Sequence, residues 1–193
     1  MRQEDQDMHL CGHNSARRWV CSAWLAASAL TAPVFAEIAP RGQRSTDDIN
    51  YGEWKKLCFK AAGTPLLCRT SISGTYETGQ MAVRIDLIER EKSGNARMQI
   101  FVPVGMYLRI PAKLKVDTGA YHPIPYNWCI SNGCIAGDVA NSKLVKEMES
   151  GKTLTLEVVD SNLLLLTTSL PLAQFSTAHN GPPAQTLEQD IEE

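Results

Sequence analysis

Residues 81–87, Met-Ala-Val-Arg-Ile-Asp-Leu, decide the fold class, because an apolar residue occupies every second position along the stretch. A period of two places successive side chains on opposite faces of an extended strand, so one face of this strand enters a core. The same alternation returns three more times along the chain, at residues 98–102, 114–116 and 154–158. At least seven short strands at this spacing predict an all-β fold, either a β-sandwich or a β-barrel.

One short helix is predicted among the strands, over about residues 141–150. Asn141 or Ser142 can cap its first turn, its apolar residues fall on one side, and Gly151 ends it. A single helix of this length cannot form a layer of its own, so we expect it to cover one end or one face of the sheets.

The two ends of the chain outside the leader are polar. Residues 37–50 contain a proline, a glycine and a pair of aspartates, and we expect them to form a flexible lead-in. Beyond Ala178 the chain becomes polar and acidic, a composition that cannot bury enough apolar surface to order itself. We therefore place one β domain at residues 51–178 and a disordered acidic tail at residues 179–193.

The first 36 residues have the pattern of a secretion signal. A basic pair precedes an apolar stretch at residues 19–30, and small residues lead to a cleavage site between Ala36 and Glu37. The apolar stretch is about a dozen residues long, whereas roughly 20 are needed to cross a bilayer. We expect a cleaved signal peptide and no membrane span in the mature chain. An uncleaved anchor is the alternative, and the true start is either Met1 or Met8.

Six cysteines divide between the leader and the rest of the chain. Four remain after cleavage in a chain expected to reach an oxidising compartment, namely Cys58, Cys68, Cys129 and Cys134. Of the three possible pairings we favour the local one, Cys58 with Cys68 and Cys129 with Cys134, because each pair flanks a turn. A zinc site would need closer knuckles, and a redox pair would need C-x-x-C spacing at a helix N-terminus. We expect two structural disulfides.

The charge of the chain argues against nucleic acid as a partner. The formal net charge is −2, and the leader contains three basic and three acidic residues, so cleavage leaves the net charge unchanged. A protein that binds phosphate backbones would need an excess of basic residues.

The sequence contains no pattern that indicates catalysis, a cofactor or a metal. His122 and His179 would be the two histidines of the mature chain, and neither has a companion at metal-ligand spacing, so we expect both at the surface. Asp86, Glu89 and Glu91 lie close together in sequence, and a charged strand edge explains them better than an acid/base pair. We expect a protein that is not an enzyme, with no catalytic, cofactor-binding or metal-binding residues.

Three aromatic residues and one apolar bend are the candidates for binding. Trp54 and Trp128 lie close to cysteines in sequence, and we expect each to pack against the neighbouring disulfide; Tyr126 lies beside Trp128. The bend at residues 102–106, Val-Pro-Val-Gly-Met, is expected to contribute to the core, with an exposed binding patch as the alternative.

Several stretches, in the expected order, resemble the invasion-associated locus B proteins of alphaproteobacteria. The most specific is residues 126–134, Tyr-Asn-Trp-Cys-Ile-Ser-Asn-Gly-Cys, which is similar to the C-x₃-GC signature of that family. Residues 54–58 with Cys68 resemble the family's tryptophan-to-cysteine strand and second cysteine, and residues 102–106 resemble its Pro-x-Gly turn. Residues 113–117 resemble its valine-aspartate strand, and residues 169–175 resemble its closing strand. The resemblance covers about residues 51–178.

The resemblance implies an immunoglobulin-like β-sandwich in an exported protein. It implies a periplasmic location, with outer-membrane association or secretion as alternatives, and a link in pathogenic members to invasion of host cells such as erythrocytes. The leading hypothesis is therefore a non-enzymatic binding protein that supports invasion or virulence through a protein partner on the envelope or the host-cell surface. The alternative is a general periplasmic assembly, chaperone-like or inhibitor domain without a host role. A thiol–disulfide enzyme built on Cys129 and Cys134 is a third hypothesis.

Overall fold

The computed structural model describes residues 38–46, 48–91 and 93–189. The predicted leader, including the cleavage site between Ala36 and Glu37, lies outside these ranges, as do the last four residues. No helix within the described ranges is both long enough and apolar enough to cross a membrane.

Thirteen strands and two short helices make up the described chain. In order, they are β1 (Gly42–Arg44), β2 (Asn50–Tyr51), β3 (Lys55–Ala61), β4 (Leu67–Thr75), β5 (Met81–Arg90), β6 (Ala96–Val102), β7 (Ala112–Val116), β8 (His122–Ile124), β9 (Tyr126–Ile130), β10 (Gly133–Ala140), α1 (Ser142–Ser150), β11 (Thr153–Val159), β12 (Leu164–Pro171), α2 (Phe175–Asn180) and β13 (Gln185–Gln189).

The strands form two sheets, as the sequence predicts for a β-sandwich. The smaller sheet has the order β1-β12-β11-β7-β8, and the larger has the order β13-β3-β4-β5-β6-β10-β9, with β2 also paired to β4. Most neighbouring strands are antiparallel, whereas β1 pairs with β12 and β13 pairs with β3 in parallel. The larger sheet therefore ends at β9 on one side and at β13 on the other.

The core lies between the two sheets and follows the alternation read from the sequence. Val83, Ile85 and Leu87 of β5 are buried, and they share one hydrophobic cluster with Leu114 of β7 and Leu156 of β11. Each such side chain stabilises the fold by roughly 1.5–3 kcal/mol through removal of its apolar surface from water. The pattern at residues 81–87 therefore predicts the inward face of β5 correctly.

The predicted helix is present as α1, at Ser142–Ser150. The Asn141 side chain caps it by accepting a hydrogen bond of 2.8 Å from the Leu144 amide. The Gly151 amide donates to the Glu147 carbonyl at the other end. Leu144 and Met148 are buried against the core, so the helix covers part of the sandwich as expected.

The predicted flexible lead-in at residues 37–50 is only partly correct, because a strand occupies part of it. Strand β1 pairs in parallel with β12. The following residues Ile49 and Tyr51 pack closely over Gly74, where an added Cβ would lie 2.5 Å from the Ile49 side chain. The glycine at position 74 of β4 thus leaves room for the lead-in to pack against the larger sheet. The composition of residues 37–50 does not reveal this contact.

The prediction of a disordered tail is wrong for residues 179–189. Helix α2 places Phe175 in the core, where its ring meets the Trp54 indole edge-on at a centroid distance of 4.8 Å. The Lys56 ammonium donates to the carbonyls of His179, at 2.8 Å, and of Gly181, at 3.2 Å. Backbone pairing then continues along β13, which needs no apolar composition because the hydrogen bonds come from the main chain.

Both disulfides have the local pairing that the sequence favours. Cys58 joins Cys68 between β3 and β4, and Cys129 joins Cys134 between β9 and β10, each across directly opposed strand positions. Each bridge closes a hairpin rather than linking the two sheets. By the loop-entropy relation each contributes about 2–3 kcal/mol to stability.

Candidate protein-binding face

The hairpin of β9 and β10 forms one end of the larger sheet and is held together covalently. Cys129 and Cys134 face each other across it, and only Ser131 and Asn132 separate the two strands. At Gly133 an added Cβ would lie 2.7 Å from the Val102 carbonyl oxygen, so glycine allows β10 to approach β6 closely. The hairpin is therefore fixed both within itself and against the sheet.

A row of apolar and aromatic side chains crosses the outer face of the larger sheet at this hairpin. Trp128 of β9 is opposite Ile135 of β10, Ile135 is opposite Phe101 of β6, and Phe101 is opposite Arg84 of β5. Residues directly opposed in antiparallel strands project from the same face, and the row spans three strand spacings, about 14 Å. Ile130 lies two positions after Trp128 and shares its face. We call these five residues the aromatic face.

The aromatic face is most exposed at the end of the sheet. Trp128 keeps 48% and Ile130 49% of their surface exposed, whereas Ile135 is buried. Tryptophan and arginine are the residue types that most often dominate the binding energy of protein interfaces. An exposed tryptophan at a rigid position loses little conformational freedom when a partner covers it.

Arg84 lies over the Phe101 ring at the inner end of the row. Its guanidinium carbon lies 3.7 Å from the centroid of the Phe101 ring, and its Nε donates to the Asp86 carboxylate at 3.1 Å. Asp86 is buried, and burial raises the pKa of its carboxyl, an effect that Arg84 opposes. The carboxylate thus positions the guanidinium over the ring, so that the row ends in a fixed positive charge.

Strand β9 forms a free edge of the larger sheet. Within the described residues no strand pairs with its outer side, because it is the last strand in the order of that sheet. Its sequence, Tyr-Asn-Trp-Cys-Ile, contains no charged residue and no proline, two of the features that keep a sheet edge from pairing with other chains. The strand is short, and a register shift at Asn127 interrupts its pairing with β10, so free pairing is confined to the end that carries Trp128 and Ile130. A free edge beside an exposed tryptophan can accept a partner by strand addition, by side-chain docking or by both.

Comparison with known proteins identifies the family of the chain. The sequence model of the family described as invasion associated locus B (IalB) protein matches residues 54–183, more than half of the chain. The chain belongs to this family. It is 27% identical over 122 residues to invasion protein B homologs of Brucella abortus strain 2308 and of Brucella abortus biovar 1 strain 9-941, which covers 63% of this chain and 69% of each homolog. The family description associates the chain with an invasion-related role.

A solved structure shares the fold. The chain is similar to the crystal structure of invasion associated protein B from Bartonella henselae, with a TM-score of 0.60 and 24% identity, over 68% of this chain and 90% of that one. The two-sheet architecture is therefore that of an invasion associated locus B protein, as the resemblance implies.

The motifs that carry the resemblance lie in different parts of this family's fold. Residues 126–134 form the hairpin of the aromatic face, and residues 113–117 include most of β7 in the opposite sheet and the residue after it. Residues 169–175 end β12 and begin α2. The most specific motif of the family is therefore also the one that builds the exposed hairpin.

The tryptophans Trp54 and Trp128 have opposite environments. Trp54 is buried, donates a hydrogen bond of 2.7 Å from its Nε1 to the Pro171 carbonyl, and meets the ring of Phe175. Trp128 is exposed at the surface. Tyr126 points inward, and burial raises the pKa of its hydroxyl. Sequence alone could not separate them, because each tryptophan lies near a cysteine.

The bend at residues 102–106 divides between the two expected environments. Val102 is buried in the core, whereas Val104 is exposed and Gly105 adopts a positive φ of 91°. The bend lines an apolar cavity between the two sheets. The core expectation is thus confirmed for Val102, whereas Val104 lies at the surface.

The histidines are tied to carboxylates, which the sequence did not predict. His122 Nε2 lies 3.3 Å from Glu147 of α1. The ring of His179 lies between two carboxylates, with Nε2 2.7 Å from Glu89 and Nδ1 3.0 Å from Glu149, and it stacks on Phe175. Only long-range folding brings Glu89 and Glu149 to this ring, since they come from β5 and α1. No spacing rule could have found them.

The His179 cluster is suited to holding a positive charge rather than a metal. A ring that donates from both nitrogens must be the imidazolium, and the bond to Glu89 in particular raises the pKa of His179. The bonds from Asn180 and His179 lower the pKa of Glu149. The two carboxylates bind opposite sides of the ring and do not converge. Across the described residues, no group of three His, Cys, Asp or Glu side chains could hold a metal ion.

The acidic residues Asp86 and Glu89 of β5, and Glu91 just after it, each have a separate environment. Asp86 is paired with Arg84 and Glu89 with His179, while Glu91 is exposed and its amide donates to the Leu66 carbonyl. The bridge of Cys129 and Cys134 joins two strands, and neither cysteine begins a helix that could lower the pKa of a thiol.

Proposed function

We propose that this member of the invasion associated locus B family is an exported, non-enzymatic binding protein that supports host-cell invasion, with erythrocytes among its target cells. In this proposal it acts through a protein partner on the envelope or the host-cell surface, and the partner docks on the aromatic face. The observation that carries the proposal is Trp128, exposed at a disulfide-bridged, free sheet edge within the most specific motif of the family.

The proposal of a binding protein rather than an enzyme is supported by how the ionisable side chains are used. Asp86 holds Arg84, and the two carboxylates around His179 hold an imidazolium. Each of these groups fixes the fold or a side chain, so none is left to act as a base beside a nucleophile.

The proposed location is the periplasm, with association to the outer membrane or secretion as alternatives. Two features support it. The leader pattern before Glu37 is typical of export, and both cysteine pairs of the β domain are oxidised, as they would be in an oxidising compartment.

The test is a deletion of the gene in the source bacterium, followed by complementation with wild-type and variant chains and a count of intracellular bacteria. The wild-type chain should restore entry, and the double variant Trp128→Ala, Ile130→Ala should not. Truncation of a central interface tryptophan weakens binding about 30-fold or more. Because both side chains are exposed, the double variant should change stability by no more than about 0.5 kcal/mol.

A matched control is Leu108→Ala, which removes an equally exposed apolar side chain outside the aromatic face. This variant should restore entry fully. Unchanged entry after gene deletion would remove the invasion role. Full restoration by the double variant would remove the aromatic face from it. Crosslinking in intact cells that traps only envelope proteins of the bacterium, together with unchanged entry after gene deletion, would favour the general assembly or chaperone-like role.

A further inference from the structure

A cavity opens between the two sheets at the end of the sandwich marked by the bend at residues 102–106. Val83 and Val102 of the larger sheet line one side, and Leu156, Val158 and Leu166 of the smaller sheet line the other. Most of the lining residues are apolar, and the polar ones are Arg44, Thr46, Tyr76 and Thr168. The cavity is separate from the aromatic face, which lies on the outer side of the larger sheet.

The volume of the cavity, about 140 Å³, limits what it can hold. An aliphatic cavity of about 150 Å³ in an engineered protein takes up one benzene molecule, whereas sites for whole small-molecule ligands occupy about 300–1,000 Å³. The cavity therefore fits a single apolar group of the size of a leucine or phenylalanine side chain, and it is too small for a complete ligand of ordinary size.

One charged residue lines the cavity, and it lies on the solvent side. The Arg44 side chain is 57% exposed, and Nη1 of its guanidinium lies 3.7 Å from Oδ2 of Asp160, a long ion pair. Oδ1 of Asp160 accepts from the amides of Asn162 and Leu164, each at 2.9 Å, whereas Oδ2 has no hydrogen bond among the described residues. Because this ion pair does not use the other guanidinium donors, Arg44 can bind a second carboxylate beside the cavity entrance.

Arg44 belongs to β1, which is the last strand of the smaller sheet. Among the described residues no strand pairs with its outer side, and all three of its residues are exposed. Side chains two positions apart share a face, so Arg44 and Thr46 both line the cavity while the backbone of the strand remains at the sheet edge. An extended segment could pair with this edge and turn one side chain inward.

We propose that this cavity is a docking site for an extended protein segment, which adds to the edge at β1. The segment inserts one leucine- or phenylalanine-sized side chain between the sheets and sets an acidic residue beside Arg44. The inference goes beyond the proposed function, since it concerns a second surface and stands whether or not the aromatic face acts in invasion.

The test is selection of a displayed library of random linear peptides on the immobilised, oxidised full chain. The selected sequences should share one large apolar residue flanked by aspartate or glutamate. Their binding should fall about tenfold to a hundredfold on Val158→Phe, which fills the cavity from the smaller sheet. Met106→Trp fills it from the bend and should have the same effect, so the result does not depend on the folding of one variant.

The charge at the entrance is tested by reversal. Selection on Arg44→Glu should exchange the acidic flank for lysine or arginine while it retains the apolar residue. Val139→Phe adds the same ring to an exposed position on β10 and should leave binding unchanged. Peptides that bind Val158→Phe and Met106→Trp as well as they bind the wild-type chain would overturn the proposal. So would a selection without a shared apolar residue and acidic flank.

Discussion

The two disulfide-bridged hairpins of this protein are built alike and used differently. In both, the bridge joins directly opposed residues of neighbouring antiparallel strands, with Cα atoms 4.0 Å apart. The hairpin of β3 and β4 is covered at its outer side, because β13 pairs with β3. The hairpin of β9 and β10 has no such strand among the described residues, and it carries exposed Trp128 and Ile130.

The difference shows that a covalent bridge does not by itself determine what a hairpin does. Both bridges hold a register and both hairpins contribute side chains to the core, but only the hairpin of β3 and β4 is covered by a further strand. In the hairpin of β9 and β10, the bridge keeps the edge strand β9 rigid, although no strand covers the outer side of β9 among the described residues. Rigidity without cover is the property that a binding surface needs, because less conformational entropy is lost when a partner binds.

The largest loss of stability should come from removing the ring that anchors α2 and β13 beside the hairpin of β3 and β4. Phe175→Ala removes a fully buried ring that contacts Trp54, and such truncations cost about 3–5 kcal/mol of unfolding free energy. Denaturant unfolding measures the loss. Amide exchange should also become faster along β13, since the anchor that delivers this strand to β3 is gone.

The control for Phe175→Ala is Leu187→Ala on β13 itself, where the side chain is exposed and the change should stay within about 0.5 kcal/mol. A Phe175→Ala protein with unchanged exchange along β13 would show that the strand is held by its backbone pairing alone, and that α2 does not cover the hairpin.

An intermediate effect is expected from cutting either bridge. Replacing Cys58 and Cys68 by serine, or Cys129 and Cys134 by serine, should each destabilise the protein by about 2–3 kcal/mol. The two variants should differ in where amide exchange accelerates. Without its bridge, β9 should exchange fastest because it has one neighbouring strand, whereas β3 stays between two. Equal acceleration of exchange along β9 and along β3 would contradict the contrast between the two hairpins.

Features of this protein that depend on neighbours in the chain could be predicted from its sequence. Alternation at residues 81–87, the cap at Asn141 and the spacing of the cysteines depend on neighbours in the chain, and each predicted its element correctly. Composition misjudged β1 and β13, because a parallel edge strand is held by backbone hydrogen bonds that any sequence can make.

The binding face was predictable only in part. Trp128 stood out as a candidate, but its exposure depends on which strand ends the sheet, and strand order is not written in local sequence. The same holds for the His179 cluster, whose partners Glu89 and Glu149 are contributed by a strand and a helix far apart in the chain.

The smallest effect expected is a pH dependence confined to the covered hairpin. His179 has a pKa raised above its ordinary value of 6.5, chiefly by its bond to Glu89. Its stabilising contribution is therefore complete below about pH 6.5 and is lost as the pH rises through the raised folded-state value. Glu149, whose pKa is lowered, contributes above its ordinary value of 4.5 and loses that contribution as the pH falls through its folded-state value.

Because the pKa of His179 is raised and that of Glu149 is lowered, both residues stabilise the fold in a mildly acidic pH range. Unfolding free energy should fall by about 1 kcal/mol on the alkaline side of this range, because the charge-assisted bonds are partly screened by solvent. Denaturant unfolding over a pH series measures the fall, and His179→Gln should abolish it while the rest of the profile is retained. Amide exchange along β13 should follow the same titration, and exchange along β9 should not, because β9 lies at the opposite end of the larger sheet from β13. A fall that persists in His179→Gln would assign the pH dependence to other groups and leave the covered hairpin insensitive to pH.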